Sequence, residues 1–223
     1  MLNQQDISKR LAYNFANSNL LAQALTHRSF SAQNNERLEF LGDGALNFII
    51  AHQLYKRFPT IAEGDLSRLR AQLVKESTLC EIAISLELGD ALKLGEGELK
   101  SAGWRRPSIL ADAVEALIGA VYLDGGYDAA EALVAHLFIN KLDTIDPKVI
   151  DKDPKSLLQE LLQGKKMTVP EYTVTNLGGE AHAQVFIVEC YIEKLNIRTV
   201  GEGTSRRIAE QQAAQLALEK LKK

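Results

Sequence analysis

Two rhythms of apolar and polar residues divide this chain. Up to about residue 140, apolar side chains recur every three to four positions in "LLAQALTHRSF", "LEFLGDGALNFIIAHQLYKRF", "DLSRLRAQLVKESTLCEIAISL" and "SILADAVEALIGAVYLDGG". That spacing gathers them on one face of successive helices and predicts a mostly α-helical first part. Pro59, Gly64, Gly89, the Gly-Glu-Gly-Glu run at 95–98, Pro107 and the pair Gly125-Gly126 fall between the helices as breakers. Ser108 reads as the N-cap of the helix that begins at Ile109, and Asn34 or Asn35 as the cap of the helix carrying Glu36.

The helical rhythm lapses at "NKLDTIDPKVIDKDPK", 140–155, where charges and two prolines predict a linker. "PKSLLQELLQGKK" then reads as a short amphipathic helix. From Glu171 to Gly203 polar and β-branched residues alternate in segments separated by Gly-rich turns, which predicts a three-stranded antiparallel sheet. "TSRRIAEQQAAQLALEKLKK" closes the chain as an Ala-rich helix with Thr204 or Ser205 at its cap. The order α-β-β-β-α over roughly 70 residues describes a compact α+β domain behind a mostly α one.

Composition changes this picture little. A chain of 223 residues can form one large or two modest domains, and 46% hydrophobic with 25% charged residues is the range of globular proteins. Cys80 and Cys190 are far apart and lack CxxC spacing, which argues against structural zinc or a disulfide framework and fits a reducing, cytoplasmic setting. No N-terminal apolar signal core is present and no apolar run approaches the ~20 residues of a membrane span, so no membrane partner is expected. Residues 1–146 carry 14 Lys and Arg against 19 Asp and Glu, whereas residues 147–223 carry 12 against 10, so the two parts invite different partners. The Gly-x-Gly triplets at 95–97 and 201–203 lack the Lys-Ser/Thr of a phosphate loop and read as turns; no organic cofactor is implied.

The carboxylates carry the chemistry. Between 38 and 51 the chain reads as core, yet Glu39, Asp43 and Asn47 recur at every fourth position, with Glu36 extending the acidic surface one turn earlier. From Ile109 to Leu123 only Asp112 and Glu115 are charged, three residues apart and therefore on one helix face. Helices apolar nearly all round are buried, and an unpaired buried carboxylate costs several kcal/mol unless it finds a cation or a proton. Arg37, Arg68, Arg70, Arg105 and Arg106 are available as partners, but neither apolar stretch from 38 to 51 or 109 to 123 contains a basic residue. Two such helices packed with their acidic faces together would form an oxygen-lined cage for a hard divalent cation, for which Mg²⁺ is suited.

At this point the residues resemble a known family. "NERLEFLGD" at 35–43 is similar to the signature stretch of the ribonuclease III family, and "SILADAVEALIGAVYLDGG" at 108–126 to its second acidic motif. The tail, with "GEAH" at 179–182 and "GEGTSRRIAEQQAA" at 201–214, resembles a double-stranded-RNA-binding domain. The resemblance implies a helical catalytic and dimerisation domain at 4–127, a last helix and linker at 128–152, and an RNA-binding domain at 153–223. It implies metal binding by Glu39, Asp43, Asp112 and Glu115, with Asp43 and Glu115 closest to the chemistry and Mn²⁺ able to replace Mg²⁺. Glu36 and Glu63 match acidic positions that assist; on its own, Glu63 in "AEGDLSRLR" reads as a solvated loop acid. Phe40, which alone reads as a core residue, matches a dimer contact whose aromatic ring enters the partner. The implied reaction is in-line hydrolysis of duplex RNA by an ion-activated water, leaving 5′-phosphate and 3′-hydroxyl ends, in processing ribosomal RNA precursors and other structured transcripts.

No covalent nucleophile stands out. The four His occur singly, and His27 in "LTHRSF" reads as a packed or capping residue. An A-form duplex hides its base edges, so a binder must read shape, 2′-hydroxyls and phosphates. Gln159, with Ser156 nearby, suits one minor groove, His182 a second, and Arg206 and Arg207 at a helix start the phosphates between them. Where the generic pattern of such domains has a further basic residue one turn after the arginine pair, this chain has Glu210, which shifts weight to Arg206, Arg207, Lys165 and Lys166. Two rivals remain: an RNA-binding protein with a catalytically dead helical domain, and a phosphohydrolase of small nucleotides. The full set of four carboxylates argues against the first and the basic tail against the second.

Overall fold

The computed structural model describes residues 4–147, 153–178 and 184–221. The chain divides into two compact units, Met1–Ile150 and Asp151–Lys223.

The first unit is helical: α1 (Gln4–Arg10), α2 (Ser18–Ala24), α3 (Glu36–Arg57), α4 (Glu63–Val74), α5 (Glu76–Ser85), α6 (Glu96–Lys100) and α7 (Pro107–Thr144). The apolar positions of α3, α4 and α5 bury Leu46, Ile49, Ile50, Leu69 and Leu79 against α7, whose residues Ile109 to Val121 are almost all enclosed. That is the arrangement expected of a helix apolar on every side. Inside α7 the backbone of Gly126 turns to φ +78°, a left-handed conformation that only glycine adopts freely, so the helix breaks there and continues. The part beyond the break buries Ala130, Leu133, Val134, Phe138 and Leu142 in the same core as Ile7 and Leu11. The last helix, expected within 128–152, thus packs into the body of the first unit, and helical structure persists to Thr144 rather than lapsing at 140.

In the second unit α8 (Pro154–Gly164) and α9 (Arg206–Leu221) cover one face of an antiparallel sheet of order β1-β2-β3, with β1 at Glu171–Gly178, β2 at Val185–Ile192 and β3 at Ile197–Gly203. Register pairs Tyr172 with Cys190 and Cys190 with Thr199. Leu158, Leu162, Cys190, Ile192, Ala213, Ala214 and Ala217 form its core. The α-β-β-β-α order is as the alternation implied.

Four local expectations change. Helix α3 is not core all round, for Phe40, Phe48 and Tyr55 lie exposed along one side. Ser108 does not cap α7: Pro107 opens it, preorganised for the first helical position, and Arg106 stands at the cap. Asn35 occupies the cap position of α3 without capping by its side chain, while Asn34 Oδ1 accepts the Glu36 N–H at 3.0 Å. Gly201 and Gly203 lie within β3 rather than in a turn, because α9 passes so close that a Cβ at Gly201 would collide with the Ala209 carbonyl oxygen. At the start of α9, Ser205 is the cap, its Oγ accepting the Ile208 N–H at 3.3 Å.

Candidate active site and RNA-binding face

Helices α3 and α7 touch backbone to backbone. A Cβ on Gly42 would lie 2.6 Å from the Glu115 carbonyl carbon and 3.0 Å from the Gly119 nitrogen, and one on Gly119 would lie 3.0 Å from the Gly42 nitrogen. Glycine at both positions is what permits this approach. Glu39 lies one turn before the crossing on α3, and Asp112 and Glu115 before it on α7. Their carboxylates consequently converge, with one oxygen of each within 4.8 Å of the others.

All three are half-buried, and none forms an ion pair or hydrogen bond with another described side chain. Burial pushes the Glu115 carboxyl up to about 8, aided by the negative fields of Asp43, Asp112 and Glu39. Glu39 is raised by burial and then by Asp112 and Glu36. Asp112 is raised by burial, against the lowering influence of His27. Of the arginines that line the cavity, Arg28 meets Glu36 at 3.3 Å and Arg106 meets Glu98 at 3.0 Å, and Arg28 acts on Glu39 and Asp112 only through its field, which lowers both. Arg68 meets Asp65 at 2.7 Å and Arg105 stacks 4.1 Å over Trp104. Three carboxylates without an ion-pair partner, offering only hard oxygen donors, fit a divalent cation.

The remaining expected acids separate. Asp43 stands outside the group of three, exposed, its Oδ1 accepting from Asn47 Nδ2 at 2.8 Å. Glu36 lines a cavity of about 290 Å³ together with Glu39 and Asp112, so it borders the cluster without joining it. Glu63 is the first residue of α4, accepts from Ser67 Oγ at 2.8 Å and does not join the cluster. His27 and Asn35 also line that cavity, a role the sequence did not suggest. The Nδ1 of His27 accepts the Ser29 N–H at 3.2 Å and lies 2.8 Å from the Ser29 Oγ, which in turn accepts the Gly95 N–H at 2.9 Å. The only advance signal was their place, just ahead of the acidic helix.

On the second unit, Ser156, Gln159, Arg206 and Arg207 line one open depression of about 570 Å³. Ser156 is partly spent there, donating its hydroxyl to Asp153 Oδ2 at 2.9 Å. His182 lies outside the described residues. Phe40 is 83% exposed, on the same side of α3 as Phe48 (62%) and Tyr55 (72%), so core packing is not its role within one copy of the chain.

A helical body whose crossing helices gather unpaired carboxylates, followed by an α-β-β-β-α domain with an arginine pair at a helix start, defines a nuclease acting on a double-stranded nucleic acid. Comparison with known proteins makes that specific. A family model described as Ribonuclease-III-like matches residues 17–142, and the Double-stranded RNA binding motif matches residues 154–221. Ribonuclease 3 of Cupriavidus taiwanensis is 57% identical over 222 residues, covering 100% of this chain and 87% of its own length. Ribonuclease 3 of Thiobacillus denitrificans is 56% identical over 217 residues, covering 97% and 96%. The crystal structure of the ribonuclease III nuclease domain from Campylobacter jejuni superposes with a TM-score of 0.62 at 44% identity, over 66% of this chain and 100% of that one. The chain belongs to the ribonuclease III family and is a double-stranded-RNA-specific endoribonuclease. Among the described residues no helix is long and apolar enough to cross a membrane.

Proposed function

We propose that the chain is a divalent-metal-dependent enzyme that hydrolyses phosphodiesters of double-stranded RNA to 5′-phosphate and 3′-hydroxyl ends, using Mg²⁺, with Mn²⁺ as a substitute. The observation that carries this reading is the convergence of Glu39, Asp112 and Glu115, none of which forms an ion pair among the described residues even though Arg28 lines the same cavity. A divalent ion bound there would supply an acidified water and offset charge on the phosphoryl oxygens. The three carboxylates would hold it, two of them from a single face of α7. Asp43, which accepts from Asn47 at the exposed edge, is assigned with Glu115 to the chemistry. Glu36 and Glu63 assist from the surroundings.

Ser156, Gln159, His182, Arg206 and Arg207 are the proposed RNA contacts of the second unit. One centre cuts one strand, so we assign the exposed Phe40 side of α3 to a two-fold homodimer that supplies the second centre. The setting is cytoplasmic processing of ribosomal RNA precursors and other structured transcripts. Incubating labelled duplex RNA with the chain in Mg²⁺, Ca²⁺ or EDTA tests the reading. Cleavage is expected with Mg²⁺ alone, and Glu115→Gln is expected to abolish it while leaving duplex binding close to that of the unaltered chain. Binding in every condition with cleavage in none would refute it.

A further inference from the structure

Glu210 places a negative charge one turn into α9, beside the arginines assigned to RNA phosphate. As an exposed acid there it would repel the ligand. Its environment shows otherwise. The residue is only 9% exposed, and both carboxylate oxygens are engaged: Oε1 accepts from Arg206 Nε at 2.9 Å, and Oε2 from Lys155 Nζ at 2.5 Å. Burial alone would raise its carboxyl, but the hydrogen bonds from Lys155 and Arg206 hold it below the usual carboxylate range.

The two cations are used differently. Lys155 also borders the depression, but its ammonium is taken up 4.4 Å over the Tyr172 ring as well as on Glu210, which ties α8 to α9 and β1. Arg206 gives Glu210 only its Nε. Its two terminal nitrogens have no hydrogen-bond partner among the described residues, and its side chain is 62% exposed on the depression that Gln159 and Arg207 also line. A guanidinium fixed through Nε presents its remaining fork in a set direction, the geometry that suits two oxygens of a phosphodiester.

We infer that Glu210 is a positioning residue for RNA binding, holding the Arg206 fork toward a backbone phosphate rather than repelling the duplex. The inference rests on the reading of the second unit as the duplex-RNA binder. It makes a prediction opposite in sign to simple charge counting. Glu210→Gln makes the chain one unit more positive, so counting charges predicts tighter binding, whereas loss of positioning predicts weaker binding.

The test is the dissociation constant of the full chain for duplex RNA in EDTA, as a function of salt, for the unaltered chain, Glu210→Gln, Arg206→Ala and the double variant. Glu210→Gln is expected to weaken binding several-fold and to lower the slope of log affinity against log salt by up to about one unit, the signature of one lost phosphate contact. The double variant should bind no worse than Arg206→Ala alone. Lys155→Met, which cuts the inward link but leaves Arg206 on Glu210, separates positioning from folding: it should lower the melting temperature without reproducing the change in salt slope. Unchanged or tighter binding by Glu210→Gln, additive losses in the double variant, an Arg206→Ala variant that binds like the parent, or a Lys155→Met variant with the same slope change would each overturn the inference. A parent chain that does not bind duplex RNA would instead overturn the reading beneath it.

Discussion

The contact between Gly42 and Gly119 decides whether the carboxylates meet, and Gly42→Ala tests it directly. The added methyl would sit 2.6 Å from the carbonyl carbon of Glu115 and closer still to its oxygen. Ordinary contact between such atoms is about 3.5 Å, and the oxygen, as the nearer atom, sets the movement, so α3 and α7 must part by more than about 1 Å. Overpacking of this kind costs about 1–3 kcal/mol. Alanine in place of glycine within a helix returns about 1 kcal/mol, so the net loss of stability is small. For a protein of this size that is a fall of only a few degrees in melting temperature, at about 2–4 °C per kcal/mol. The site responds far more strongly. Glu39 rides on one helix and Asp112 and Glu115 on the other, so parting the helices opens the cluster itself, and a misplacement of about 1 Å can cost about a hundredfold in rate. The assay pairs kcat/KM on duplex RNA and the Mg²⁺ requirement with a melting curve. Gly97→Ala, where a methyl meets nothing within 4 Å, serves as control. A Gly42→Ala enzyme with parental kcat/KM and an unchanged Mg²⁺ requirement would refute the claim that this contact builds the site.

Other expectations follow from the same geometry. Glu115 holds its proton up to about pH 8 in the folded chain against an ordinary value of 4.5, so between those limits the folded state binds the extra proton. Stability of the ion-free chain should therefore fall as pH rises from about 4.5 toward 8, Glu115→Gln should flatten that fall, and Mg²⁺ should stabilise more at pH 8 than at pH 5; thermal melts across the range check all three, and parallel curves for parent and variant would contradict the assignment. Arg206→Ala combined with Arg207→Ala should lower the salt slope of duplex binding by about one unit per lost phosphate contact, read by fluorescence anisotropy. Phe40→Asp should shift the sedimentation coefficient to that of a single chain while leaving the protomer's circular dichroism intact, since the ring is exposed in an isolated copy. An undiminished dimer would remove Phe40 from the contact.

What was legible in the sequence was whatever depends on local period. Helical spacing found α3, α5 and α7, alternation found the three strands, and the i to i+3 and i to i+4 spacing of Glu39, Asp43, Asp112 and Glu115 found the acidic faces. What was hidden depends on contact between distant segments. Gly42 and Gly119 look like weak helix residues until each is seen against the backbone of the other helix. Gly201 looks like a turn residue until α9 is seen to lie across β3. Period also cannot tell a stripe buried in its own core from one left for a partner, which is why Phe40 and Phe48 read as interior. Arg68 and Arg106 were open candidates to neutralise the site, and only the fold assigns them to Asp65 and Glu98.

The separation of Asp43 from the other three acids has a physical reason. Each carboxylate added to a half-buried cluster raises the cost of ionising those already there, and Glu115 bears most of that cost because Asp43, Asp112 and Glu39 all act on it. A fourth acid enclosed among them would leave the ion-free fold with charges it could shed only by taking up more protons. Asp43 instead stays at the exposed edge, where Asn47 donates to both its carboxylate and, at 3.0 Å, its backbone carbonyl, and its field still reaches Glu115 from there. The fold thus encloses three acids at the crossing and leaves the fourth exposed one turn further along α3.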